Sequence, residues 1–236
     1  MIFMQFRHIL SIATLMASCS VQSLHAAEIA DPLEPMNRGV FTFNEYADML
    51  VMKPVTQAYD YVVPDEGKQG VSNVIRNLQM PVYFANSVLQ GDAENAFASV
   101  WSFMLNSTFG VAGFFDFAGA TGLHVRNEDF GQTLGVWGVG RGPYIVLPFF
   151  GPSSVRDSTG ITGDFFFDPY NMIKSNEFII ARIGLIGLDT RYRNATVIDD
   201  IMEQSFDPYA TFRSAYDQQR QAAIVNTTSN DFIGEE

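Results

Sequence analysis

The chain has 236 residues and a formal net charge of -12 at pH 7, from 14 Lys and Arg against 26 Asp and Glu. This excess of acid excludes a nucleic-acid partner, because affinity for a polyanion depends on cations that neutralise phosphates. The charged fraction of 17% is low for a soluble domain and the 21 Phe are many, so the composition favours a folded chain that contacts apolar material.

The first eighteen residues have the order typical of a secretory signal. Arg7 and His8 precede the apolar run 9–17, and small residues stand just before Cys19, the single cysteine of the chain. This order predicts a lipoprotein signal, in which Cys19 is acylated and becomes the mature N-terminus. Ordinary cleavage near Ala26 is the alternative, and it would remove Cys19.

Three segments are predicted after the signal. Residues 19–30 form a tether, residues 31–225 a helical domain, and residues 226–236 an acidic, disordered tail. Apolar residues spaced by three and four from Met36 to Leu50 predict the first helix.

Prolines predict the boundaries of the next helices, because proline and the residue before it disfavour helical geometry. A second helix is expected between Pro54 and Pro64, a third ending at Pro81 and a fourth from Pro81 to Leu89.

The fifth segment is unusual because no residue from 95 to 115 is charged. Asp92 is expected to cap it, and Gly110 and Gly113 interrupt it. We predict a helix to about Ser107, followed by a glycine-broken apolar loop through Phe117. Burial in a protein core and embedding in a membrane are both compatible with this composition.

A glycine-rich segment precedes the apolar run 144–150. Because glycine costs entropy in a helix, five glycines in twelve positions predict a hairpin-like loop that bends sharply or moves. Irregular apolar segments of this kind are typical of functional surfaces. The candidate hinge residues are Gly135, Gly138, Gly140 and Gly142.

The C-terminal third is predicted to be helical again. Ser153 or Ser154 caps one helix, stripes at residues 178–186 and 197–202 predict two more, and Asp207 caps a last helix that ends at about Ile224. Asp164 and Asp168 stand four residues apart, which is typical of a solvated helix edge, and nothing in the sequence predicts a raised pKa for either.

The sequence gives little support for an enzyme, a metal site or a cofactor. His25 and His124 are the only histidines after the signal, and their spacing gives no zinc ligand set. The serine at Gly151-Pro152-Ser153 lacks the second glycine of a nucleophile elbow. A catalytic triad of Ser153, His124 and Asp157 is the alternative.

Several motifs fall in the order found in one family of lipoproteins. They are DPLEPMNRGVFTFN at residues 31–44, LQGD at 89–92, FGQTLG at 130–135, GVGRGPYIVLPFFGPSSVRD at 138–157 and DPY at 207–209. With these motifs the chain resembles the MlaA (VacJ) family of outer-membrane lipoproteins over roughly residues 31–220.

The resemblance implies an all-α, ring-shaped protein embedded in the outer membrane, with a polar passage through it and a glycine-rich, hairpin-like loop. Family members remove mislocalised phospholipids from the outer leaflet, pass them to a periplasmic lipid-binding shuttle of the MlaC type, and sit beside trimeric porins. The implied location is the outer membrane of a Gram-negative bacterium, with a lipid anchor and a face toward the periplasm. A surface scaffold or virulence factor without lipid transport, and a lipid hydrolase that uses Ser153, are the alternatives.

Lipid transport needs an apolar surface for the tails and a polar route for the head group, because a charge in hydrocarbon costs several kcal/mol. The candidate residues for the passage or its rim are Asn44, Arg141, Arg156 and Asp157, where arginine can pair with phosphate; local pairing of Arg156 with Asp157 is the alternative. The lipid-facing candidates are Phe41, Phe43, Trp101, Phe103, Phe114 and Phe115.

Overall fold

The computed structural model describes residues 31–225. The predicted signal, the tether with Cys19 and the acidic tail lie outside these residues. The described part contains ten α-helices and one β-hairpin, so the all-α class that the sequence predicts is confirmed.

The first two helices form one continuous helix. α1 (Glu34–Ala47) passes into α2 (Lys53–Val62) through a π-helical turn, Asp48–Met52. Residues 53–62 are helical as predicted, with Pro54 in the first turn, but α2 continues α1 through the π turn and is not a separate helix. The wider hydrogen-bonding pattern of a π turn accommodates a proline, which has no N–H to donate.

The next helix, α3 (Asp65–Gln90), spans both the third and the fourth predicted helix. Pro81 lies inside α3, although an interior proline costs about 3 kcal/mol. Packing around the proline offsets this cost, because Met80, Val82 and Tyr83 are all buried. Gly91 ends the helix with a φ of 78°, the left-handed conformation that glycine adopts without strain.

α4 (Ala93–Thr108) begins as predicted at Asp92, whose side chain accepts a hydrogen bond from the backbone N–H of Asn95. It ends one residue beyond the predicted Ser107. A glycine-containing turn then leads to the short helix α5 (Phe117–Ala120).

The glycine-rich segment contains regular structure that the sequence does not predict. It begins with the helix α6 (Phe130–Val136) and continues into an antiparallel hairpin of β1 (Tyr144–Leu147) and β2 (Gly151–Ser154). The next helix, α7 (Val155–Phe167), is the predicted one, and Ser154 caps it. Gly131 lies inside α6, where a Cβ atom would collide with Asp157 of α7. Close helix packing therefore explains this glycine better than loop flexibility does.

Three further helices complete the described chain: α8 (Asn176–Arg193), α9 (Ala195–Gln204) and α10 (Pro208–Ile224). They match the predicted stripes and the predicted end near Ile224. Asp207 caps α10 by accepting a hydrogen bond from the N–H of Ala210. No helix within residues 31–225 is both long enough and apolar enough to cross a bilayer.

Burial in the described residues is inverted relative to an ordinary soluble domain. Eleven hydrophobic residues are buried, compared with 21 polar or charged residues, while 37 large hydrophobic residues are exposed. Even the packing of α3 against α4 is partly polar, because the buried Asn95 donates to Ser87 Oγ at 2.8 Å. Water-soluble domains bury apolar residues and rarely expose large apolar patches. The outer surface is therefore apolar and much of the interior is polar.

Candidate functional site

A cavity of about 780 Å³ lies between α3, α8, α10 and the segment that joins α5 to α6. This volume is within the range of roughly 300–1,000 Å³ that is typical of small-molecule sites. Most of its wall is polar. The polar wall residues are Gln69, Ser72, Asn73, Arg76, Gln79, Tyr83, Asp116, Arg126, Asn127, Glu128, Gln132, Asp189, Thr190, Arg193, Asn194 and Gln219.

The wall residues of α3 carry a signal in the sequence that the predictions above did not use. Gln69, Ser72, Arg76 and Gln79 are three or four residues apart, so they share one face of the helix. A polar stripe normally faces bulk solvent, and the sequence does not show that three other segments close around this one. No comparable local signal marks the wall residues between α5 and α6.

The arginines of the cavity differ in their contacts. Arg126 pairs with Asp92. Arg76 donates from Nη2 to the carbonyl oxygen of Val125 at 2.6 Å, and its buried Nε has no hydrogen-bond partner. Within residues 31–225, Arg193 makes neither an ion pair nor a side-chain hydrogen bond, although it lines the same cavity. The cavity therefore holds two cations without an anionic partner.

The cavity also contains three carboxylates, and each accepts a hydrogen bond from a neutral donor. Ser72 Oγ donates to Asp189, Gln90 Nε2 donates to Glu128 at 2.9 Å, and Asn106 Nδ2 donates to Asp116 at 3.0 Å. Burial raises the pKa of Glu128. With three arginines and three carboxylates, the formal charge of the wall is zero.

Three of the predicted passage residues lie elsewhere, at a second, small cleft of about 50 Å³. Arg156 contacts its neighbour Asp157 at 2.9 Å, and Arg141 pairs with Asp217. Burial acts to raise the pKa of Asp157, but hydrogen bonds from Arg156 and Tyr216 bring it below its usual value. The local pairing left open from the sequence is the arrangement observed, and none of the three residues lines the large cavity.

The fourth predicted passage residue, Asn44, holds the hairpin. Its Nδ2 donates to the carbonyl oxygen of Leu147 at 3.0 Å, and its Oδ1 accepts from the N–H of Phe149 at 2.8 Å. Asn37, two turns earlier on α1 and fully buried, bonds to β1 in the same way through Tyr144 and Val146. Two asparagine side chains therefore tie α1 to the hairpin.

The four candidate hinge glycines occupy different environments. Gly135 lies inside α6, where an added Cβ atom would crowd Ile224. Gly138 and Gly142 have φ values of 86° and 68°, which favour glycine, and Gly140 has open space around it. The candidate hinge is therefore confined to residues 138–142, after the end of α6.

The six aromatic residues predicted to face lipid divide into two groups. Phe43, Trp101 and Phe115 are exposed. Phe41 instead packs on Tyr209 with ring centroids 5.6 Å apart. Phe103 packs against a buried cluster around Met80, and the Phe114 ring occupies the space beside Gly70. Helical spacing alone does not separate the two groups, because tertiary contacts cover part of each stripe.

The solvated edge predicted for Asp164 is wrong. Asp164 Oδ1 accepts hydrogen bonds from Asn86 Nδ2 at 2.8 Å and from the N–H of Phe130 at 2.9 Å. Burial raises the pKa of this carboxyl to about 7, and the nearby charge of Asp129 adds to the rise. Asp168 is buried too, and it pairs with Arg182 at 2.6 Å.

The residues of the alternative triad have other partners. Ser153 Oγ lies 2.9 Å from Ser158 Oγ, and His124 is exposed with Nδ1 beside the carbonyl oxygen of Gly122. The Asp157 carboxylate accepts hydrogen bonds from Arg156, Tyr216 and Arg220, and its backbone N–H donates to Ser154 Oγ. In the described part of the chain, no group of three or more His, Cys, Asp or Glu is placed to hold a metal ion.

Comparisons with known proteins agree with this architecture. The sequence model of the MlaA lipoprotein family matches residues 29–223. A protein of Escherichia coli K12, named the lipoprotein MlaA of the intermembrane phospholipid transport system, is 34% identical over 219 residues, which cover 90% of this chain and 85% of that protein. The protein of the same name from Haemophilus influenzae is 34% identical over 202 residues, covering 84% of this chain and 80% of the relative.

The fold also matches a solved structure. The TM-score is 0.74 at 32% sequence identity, and the match covers 83% of this chain and 99% of the other. That structure was solved to explain how bacteria maintain the lipid asymmetry of their outer membrane.

Proposed function

Because this chain belongs to the MlaA lipoprotein family, we propose that it removes mislocalised phospholipids from the outer leaflet of a Gram-negative outer membrane. The relatives named above belong to an intermembrane phospholipid transport system, which supports transport rather than catalysis as the activity.

The observation that carries this proposal is the inverted burial. An apolar exterior suits contact with lipid tails, and a polar cavity suits a head group that loses its hydration when it leaves the membrane surface. A phospholipid needs both environments at once. The lipid is therefore proposed to pass its head group along the wall of the cavity while its tails stay with the apolar surface.

The anchoring and the partners are part of the same proposal. Acylation of Cys19 would hold the chain on the outer membrane, facing the periplasm. Lipid leaving the cavity would pass to a periplasmic lipid-binding shuttle of the MlaC type, and a trimeric porin would stand beside the protein. The direction is inward, from the outer leaflet, and no cofactor or metal takes part.

The hairpin is the proposed moving part. Residues 138–142 join α6 to β1, and the hairpin exposes Phe149 and Phe150 at its turn. Substituting Pro at Gly140 should stiffen this connection and slow lipid removal, whereas Gly142, with a φ of 68°, cannot adopt the φ of proline. Normal removal by a stably expressed variant would count against movement of the hairpin.

The deciding experiment compares the outer-leaflet phospholipid content of cells that lack this protein with that of the same cells complemented by the wild type. The proposal expects a rise in the absence of the protein and its reversal on complementation. An unchanged phospholipid content would leave the protein as a surface scaffold. Release of fatty acid or lysolipid that depends on Ser153 would instead identify a hydrolase.

A further inference from the structure

Two arginines of the described chain stand apart from the rest. Eight of the ten arginines within residues 31–225 pair with a carboxylate. The two that do not, Arg76 and Arg193, both line the large cavity. An acidic chain with an excess of carboxylates could readily have paired both. Their lack of a partner is therefore a property of the cavity and not of the composition.

Both arginines line the same cavity. The phenol of Tyr83 also lines it, and burial raises the pKa of this group. The positive charges of Arg76 and Arg193 both act to lower it again. Because both arginines line one cavity and neither pairs with a carboxylate within the described residues, both are available to an anion bound there. A guanidinium group suits a phosphate oxygen pair in particular, because its planar donors match that geometry.

The three carboxylates of the cavity form no ion pair within residues 31–225, and Asp189 is the one that shares a helix with the unpaired Arg193. Asp189 is buried, lies one turn before Arg193 on α8 and forms no ion pair with it within the described residues. Its contact is the hydroxyl of Ser72. A buried carboxylate is costly unless a positive charge compensates it. A ligand ammonium group would supply that charge.

The charge count separates two classes of lipid. Three arginines and three carboxylates give the wall a formal charge of zero. A zwitterionic head group keeps this balance and offers both a phosphate and an ammonium. An anionic head group, such as phosphoglycerol, brings a negative charge with no ammonium to meet Asp189.

We propose that the cavity is a selective site for zwitterionic, phosphoethanolamine-type head groups, with the phosphate held by Arg76 and Arg193 and the ammonium by Asp189. This proposal rests on the proposed function and adds the class of lipid that the protein prefers. A free phosphoethanolamine ester offers the same chemistry as the lipid, so the test includes both.

The test is calorimetric titration of the full-length protein in a non-ionic detergent with three probes. They are dihexanoyl-phosphatidylethanolamine, dihexanoyl-phosphatidylglycerol and glycerophosphoethanolamine. The ethanolamine lipid should bind at least about tenfold tighter than the glycerol lipid, since a charged hydrogen-bonded contact is worth about that factor. Glycerophosphoethanolamine should compete with the ethanolamine lipid at higher concentration. Equal binding of the two lipids, or no competition by the free ester, would overturn the proposal.

Variants test each half of the site. Arg193→Gln removes a charge without breaking an ion pair or a side-chain hydrogen bond, and should weaken binding of the ethanolamine lipid about tenfold. Asp189→Asn keeps an acceptor for Ser72 and should reduce or reverse the preference over the glycerol lipid. Lys174→Gln, which removes an exposed charge outside the cavity, is the matched control and should change nothing. Wild-type affinities in Arg193→Gln, or an unchanged preference in Asp189→Asn, would contradict the assignment.

The two proposals fail in different ways. If both lipids bind equally and complementation still lowers outer-leaflet phospholipid, the head-group selectivity is wrong and lipid removal stands. If no lipid binds and complementation has no effect, both proposals fall.

Discussion

The large cavity and the small cleft both contain three arginines, but they compensate charge differently. In the cleft every arginine lies against an aspartate, and Arg220 contacts two, Asp129 and Asp157. In the cavity only Arg126 has such a partner. Hydrogen-bonded ion pairs inside a fold hold elements in place, whereas cations without a partner are available to a ligand. We therefore expect the ion pairs of the cleft to hold the hairpin and its neighbouring helices in place, and the cavity to contact the ligand.

The largest expected effect comes from breaking the cleft. Arg220→Met leaves Asp129 without its cation and Asp157 with Arg156 alone, and we expect the free energy of unfolding to fall by about 3–5 kcal/mol. Arg193→Gln is the matched change in the cavity and should cost less than about 0.5 kcal/mol. Denaturant unfolding in one detergent measures both, and equal losses would remove the distinction between the two regions.

Asp164 lies on α7, outside both the cavity and the cleft, and contacts α3 and the start of α6. Its titration gives a third prediction. Its folded-state pKa, raised by burial to about 7, lies above the usual value of the unfolded chain. The folded state therefore binds a proton more tightly than the unfolded chain does. The free energy of unfolding is highest below about pH 4, where Asp164 is protonated in both states, and falls as the pH rises toward 7.

The variant Asp164→Asn should lose this dependence. Its side-chain oxygen still accepts from Asn86 and Phe130, so we expect it to be more stable than the wild type at pH 8 by on the order of 1–3 kcal/mol. Unfolding free energies measured from pH 5 to pH 8 test this. Parallel curves for the two proteins would show that the carboxyl is already ionised in the fold.

The asparagines of α1 test how the hairpin is held. Asn37→Ala strands buried backbone groups of β1 and should cost about 1–3 kcal/mol, whereas Asn44→Ala, at the more open turn, should cost about 1 kcal/mol. Hydrogen exchange gives the local result. The amide of Val146 should lose protection in the first variant and that of Phe149 in the second. Unchanged protection at both amides would mean that strand pairing alone fixes the hairpin.

The smallest effects are expected in the glycine-rich segment. Gly135→Ala places a methyl group within 3.0 Å of Ile224 and should cost about 1 kcal/mol. Gly140→Ala meets nothing within 4 Å and should change stability by less than about 0.5 kcal/mol. Thermal unfolding of the two variants decides, and a larger loss at Gly140 would show a constraint on the connection that the folded structure does not contain.

Local chemistry explains which parts of the fold were predictable. The helix starts at Asp92 and Asp207 could be predicted because each cap joins residues only three positions apart, so the sequence alone contains the whole interaction. The helix end predicted at Pro81 was wrong because tertiary packing buries the residues around this proline and outweighs the cost of a proline inside a helix. The hairpin was missed as regular structure since the side-chain bonds that support it come from Asn37 and Asn44, about a hundred residues earlier.

The candidate site was less predictable than the fold. Asn44 and Arg141 bind partners 103 and 76 residues away, which the sequence cannot show, whereas Arg156 pairs with the adjacent Asp157. Asp164 likewise depends on Asn86, 78 positions away. Which arginine remains without a carboxylate is decided only when all partners are in place.

The π-helical turn at Asp48–Met52 sets the rotation of one helix against two partners. Asn37 and Asn44 face the hairpin before it, while Lys53 after it reaches Asp199 of α9. A π turn contains one residue more than an α-helical turn, and each residue corresponds to about 100° around the axis. Deleting a single residue there would keep the helix intact yet turn α2 by about a quarter of a revolution away from its contacts. At this point the molecule therefore depends on the number of residues as well as on the Asp48 carboxylate, which pairs with the buried Arg191.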